Sequence, residues 1–66
     1  MKITERHISS IHESIAYYLG DKVLTKGEIE TLLERGFTES IIIDIASDLY
    51  CGAFDDIHEA TAWYTG

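Results

Sequence analysis

The sequence predicts an all-α fold, a small bundle of three to four helices, on three observations. Apolar residues recur at steps of three and four, threonines stand just before several of these runs, and glycines fall just after them. The chain contains no proline to interrupt any run. The expected helices cover about 5–19, 26–35, 39–51 and 56–64, all within one domain, residues 1–66.

The first helix is marked by Ile8, Ile11, Ile15 and Leu19, with Tyr18 alongside, between Thr4 as N-cap and Gly20 as the stop. The second start is clearer. In "LTKGEIE", Thr25 is an N-cap with Glu28 three residues on, a capping box, and Leu24 is placed to pack on Ile29 as a hydrophobic staple. Ile29, Leu32 and Leu33 form its inner side, and Gly36 ends it. Thr38 caps the third helix, whose inner residues are Ile42, Ile45, Ala46 and Leu49. The β-branched Ile41, Ile42 and Ile43 would suit a strand, but the phase set by Ile45, Ala46 and Leu49 favours a helix.

At about 100° per residue, Ile42, Ile45, Leu49, Ala53, Ile57, Ala60, Trp63 and Tyr64 fall within an arc of about 120°. Asp44, Asp48, Asp55 and Glu59 fall within about 60° on the other side. Phase thus runs unbroken across Gly52, as one kinked helix would require. Yet glycine costs about 1 kcal/mol inside a helix relative to alanine, and Asp56 with Glu59 makes a second cap-like start. A break at Gly52 and a fourth short helix are the preferred reading.

Composition bounds the function. At 45% hydrophobic and 26% charged residues the chain has the make-up of a folded protein rather than a disordered one. Sixty-six residues bury a thin core. One cysteine cannot form an internal disulfide, and three scattered histidines make no four-ligand zinc pattern. Association, as a homodimer or a hetero-complex, is therefore the expected remedy for marginal stability. No leader peptide or membrane-length apolar run is seen, so the expected setting is the cytoplasm.

Charge is the most informative property. The formal net charge is −7, and no Lys or Arg follows Arg35. Residues 1–35 balance five bases against six acids; residues 36–66 hold Glu39, Asp44, Asp48, Asp55, Asp56 and Glu59 with nothing opposite. Such a surface repels phosphate backbones and attracts cationic partners over roughly a Debye length, about 8 Å at physiological salt. Direct nucleic-acid binding is disfavoured, and a protein partner with a basic surface is favoured.

Two family resemblances bear on the fold. "IETLLERGF" followed by a helix and "IHEATAWY" resembles the ubiquitin-associated (UBA) family over residues 29–64, with Ile29, Leu32, Gly36 and Phe37, and then Ile57, Ala60 and Trp63, at the family's spacing. It departs in Arg35, where the family commonly has a loop methionine, in Tyr64, where leucine is usual, and in about four extra residues between the halves. The resemblance implies a three-helix protein-recognition module reading its partner through Gly36, Phe37, Trp63 and Tyr64. "LTKGEIETLLERGFTESIIIDIA" is also similar to the helix-turn-helix domains of LuxR-type regulators, offset by two residues on each side of Gly36. That family's recognition helix meets phosphates and base edges. The corresponding region here offers Asp, Asp, His and Glu.

No residue group suggests catalysis, a cofactor or a metal. His7 and His12 point about 140° apart on a helix, and His58 suits a solvated helix position. Cys51 has no base beside it, and adjacent Asp55 and Asp56 suit a cap better than acid–base chemistry. Aromatic residues are many for so small a core. Phe37 and Trp63 are expected chiefly inside, whereas Tyr17 and Phe54 lie off the main arcs and suit an interface. The chain is thus expected to be a small, acidic, non-enzymatic interaction protein, an inhibitor of the kind phages and mobile elements use. It would occupy a basic, nucleic-acid-binding surface of a larger partner. The expected contacts are Asp44, Asp48, Asp55, Asp56 and Glu59, with Phe37, Tyr17, Phe54, Trp63 and Tyr64.

Overall fold

The computed structural model describes residues 3–65, which form four helices: α1 Glu5–Leu19, α2 Lys26–Glu34, α3 Glu39–Cys51 and α4 Ile57–Thr65. No strand occurs among the described residues. The all-α expectation holds, and the boundaries reflect the local chemistry of each terminus.

Three helices begin on a threonine. The Thr4, Thr25 and Thr38 hydroxyls accept from the backbone N–H of His7, Glu28 and Ile41, satisfying donors that have no partner inside the helix. At Thr25 the box is complete, because the Thr25 N–H donates to Glu28 Oε1 at 2.8 Å. The fourth helix starts on Asp56, whose Oδ1 accepts from the Glu59 N–H at 2.9 Å.

Two helices end in the same way. After α2, Gly36 takes φ 95° and donates to the Leu33 carbonyl, while the Phe37 N–H donates to that of Leu32. After α3, Gly52 takes φ 80° and donates to the Leu49 carbonyl, while the Ala53 N–H donates to that of Asp48. This is the Schellman arrangement, which needs a left-handed residue at the glycine position. Gly52 therefore breaks the chain's third helical run instead of being carried through it.

The core is one cluster. Ile8, Ile11 and Ile15 from α1 meet Leu24 just before α2, Ile29, Leu32 and Leu33 within it, and Ile42, Ile45 and Ala46 from α3. Helix α3 is central, since α1, α2 and α4 all pack on it. Among the described residues, the backbone of α4 approaches only α3. It contributes Ala60, fully buried, and Thr61, whose hydroxyl donates to the His58 carbonyl. The molecule measures 29 × 27 × 17 Å, and its thinnest dimension accommodates two helix layers with axes roughly 8–10 Å apart.

Three sequence expectations change, those for Ala53 and Trp63 because of the break at Gly52. Residues 52–56 reset the phase, so Ala53 is exposed and Trp63 is 71% exposed rather than inside. The inward face of α4 is Ile57, Ala60, Thr61 and Tyr64. Tyr18, placed beside the first apolar stripe, is 78% exposed.

Candidate functional site

The acidic residues divide according to what the helices ask of them. Asp44 on α3, Asp55 in the connection and Glu59 in the first turn of α4 are exposed and free of any capping duty. Asp56 is exposed but holds the start of α4. Asp48 is half-buried and accepts a 2.7 Å hydrogen bond at Oδ2 from the Tyr64 hydroxyl. That bond, the loss of hydration at the ring, and the negative charges of Asp48 and Asp44 together push the Tyr64 hydroxyl up from 10.0 to about 12.

The stripe expected along a continuous helix is consequently two groups. Asp44 and Asp48 lie by Tyr64, near the end of α4, whereas Asp55 and Asp56 lie before its start, a helix length of about 13 Å away. Both groups belong to the α3–α4 pair. Asp55 and Asp56 line a shallow groove with Tyr50 and Lys22, so one cation from the first half of the chain reaches this end of the surface.

The aromatic residues separate as sharply. Phe37 is buried, and the Schellman turn explains it: the residue after the glycine folds its side chain back onto the preceding helix. Its ring is core, with the Arg35 guanidinium 5.7 Å above it, and does not present a contact face. Trp63 stands outside, with Phe54 half-buried beneath it at a centroid distance of 6.2 Å. Tyr17 is 82% exposed on α1, edge-on to Tyr18 at 4.9 Å. Tyr50, 61% exposed at the end of α3, is a surface aromatic that the sequence reading misses; its position about 100° from the centre of the Ile42, Ile45 and Leu49 arc on a helical wheel gives the signal.

A second feature escapes sequence reasoning altogether. Because α4 rests on α3, an open groove of about 400 Å³ remains between α2 and α4. Leu32, Ile57 and Thr61 form its floor, and the exposed Arg35 and His58 stand beside it.

Among the described residues no three His, Cys, Asp or Glu side chains come together as a metal site would need, and no helix is long and apolar enough to cross a membrane. Cys51 is exposed and free. The chain matches no protein-family model, no curated protein and no solved structure.

Proposed function

We propose that the protein is a non-enzymatic interaction module whose α3–α4 surface occupies a basic, nucleic-acid-binding face of a larger protein, as an inhibitor or modulator does. One observation carries this reading. Of the six carboxylates in residues 36–66, five are exposed, and that half of the chain has no Lys or Arg to neutralise them. Lys22 reaches the Asp55–Asp56 end, and the excess negative charge that remains destabilises a small domain through self-repulsion and favours encounter with an opposite charge. The spacing of the two acidic groups along α4 suits a broad cationic surface better than a single basic pocket. An inhibitor of phage or mobile-element type fits this description.

Competition tests it. Protein captured from host lysate on the immobilised chain should be released by added duplex DNA, because both would compete for one basic face. Release by neutral competitors only, with DNA inert, would count against the proposal.

A second reading rests on the exposed Trp63 over Phe54, a recognition patch at the end of the last helix, where the UBA-like pattern also places aromatic contacts. Such a patch would work without Phe37. Its binding would persist at high salt, whereas acidic steering is screened.

A further inference from the structure

The groove between α2 and α4 and the outer face of Trp63, whose ring also rests by Phe54, are both open to solvent. We infer that they partner each other across two copies of this chain, forming a two-fold dimer in which Trp63 of each protomer enters the α2–α4 groove of the other.

Helical spacing sets the geometry. On α4, Glu59 and Trp63 lie about 40° apart, while Ile57, His58 and Thr61 lie on the opposite flank and form one wall of the groove. A single helix thus carries a projecting group on one flank and a receiving surface on the other. A two-fold axis running roughly along α4 brings each projecting flank against the other protomer's receiving flank. Both contacts form at once and the assembly closes.

Shape and charge agree with that pairing. The groove, about 400 Å³, is in the range of roughly 300–1,000 Å³ in which protein pockets hold ligands. Its floor of Leu32, Ile57 and Thr61 is largely apolar, as an indole requires. Trp63 is 71% exposed, and tryptophan is among the residue types enriched in interface hot spots. Glu59 stands one turn before Trp63, and Arg35 stands beside the groove. Seating the indole therefore brings a carboxylate of one protomer to a guanidinium of the other. The other carboxylate lining the groove, Glu28, accepts the Thr25 N–H at Oε1 and lies two turns of α2, about 10 Å, before Arg35. The contact uses one of the acids assigned to the basic partner, and Asp44 and Asp55 stay on the outer surface.

The chain's single tryptophan is also the reporter. Sedimentation equilibrium on the full chain from about 1 to 300 µM, the range of a weak or moderate interface, should show a monomer–dimer equilibrium at physiological salt. Trp63 emission should shift to the blue over the same concentrations. Trp63→Ala should be monomeric with unchanged circular dichroism. Glu59→Arg and Arg35→Glu should each weaken dimerisation about tenfold or more, and the two together should return it to within about threefold of the parent, as a direct charge pair requires. A parent that stays monomeric to 300 µM, a Trp63→Ala variant that dimerises like the parent, or a double variant no better than either single overturns the inference.

Discussion

The Tyr64 hydroxyl donates to Asp48 Oδ2 at 2.7 Å across sixteen residues of sequence, and this is the only side-chain to side-chain hydrogen bond between helices among the described residues. It joins α4 to α3, the one helix whose backbone α4 touches. One of the five acids assigned to the partner surface is therefore also a structural contact.

Tyr64 reports on that contact through its titration. A folded value near 12 against 10.0 for the free side chain means that the protonated tyrosine is the favoured form in the folded state. Its stabilisation is present in full below pH 10 and is lost as pH rises through about 12. The difference in phenolate absorbance between the parent and Tyr64→Phe should have a midpoint near 12, and Asp48→Asn should move it back toward 10. Hydrogen exchange in residues 57–65 should quicken in both variants before α1 is affected.

An exposed and a buried apolar residue should part company on truncation. Below the concentrations at which the chain dimerises, Trp63→Ala should alter stability by no more than about 0.5 kcal/mol. Ile45→Ala, at a fully buried position on α3, should cost about 2–5 kcal/mol. Urea titration of both variants, monitored by circular dichroism, makes the comparison.

Two glycines should respond in opposite senses to alanine. Gly52, at φ 80°, ends α3 in a conformation that costs a side chain about 1–2 kcal/mol, so Gly52→Ala should destabilise by that amount. Gly27 lies within α2 at an ordinary helical angle, and an added Cβ meets only Thr25 Oγ1 at 3.9 Å. Gly27→Ala should stabilise by about 0.5–1 kcal/mol. Thermal melts decide both.

Asp56 combines a cap with an exposed charge, and the two can be separated. Asp56→Ala should cost about 0.5–2 kcal/mol by losing the cap, whereas Asp56→Asn keeps an acceptor for the Glu59 N–H and should remain near the parent. Any effect on partner binding that appears equally in Asp56→Asn belongs to the charge.

The features legible in the sequence are those that depend on near neighbours. Thr4, Thr25 and Thr38 each cap within three residues, and Gly36 and Gly52 each close a turn within five, so helix starts and stops are set by local chemistry. The facing of α4 is not legible, because a uniform 100° phase carried through Gly52 points Trp63 inward while the actual connection 52–56 resets it. Phe37 is ambiguous for a related reason: a Gly-Phe pair reads equally well as a recognition loop and as a Schellman turn whose second residue is core. The bond between Asp48 and Tyr64 and the groove beside Arg35 depend on which helices meet, and no local spacing encodes that.

The most direct test of the acidic-surface account is the association rate of the captured partner with a double variant, Asp44→Lys and Asp55→Lys, which leaves Asp48 with its bond to Tyr64 and the dimer contact of Glu59 in place. Steering charges act on encounter, so the parent's association rate should fall steeply between low and physiological salt. The folded variant should associate at least about tenfold more slowly and lose most of that salt dependence. A variant that keeps the parent's helical content and binds at the parent's rate at both salt concentrations would contradict the account and leave the carboxylates as a solvated face.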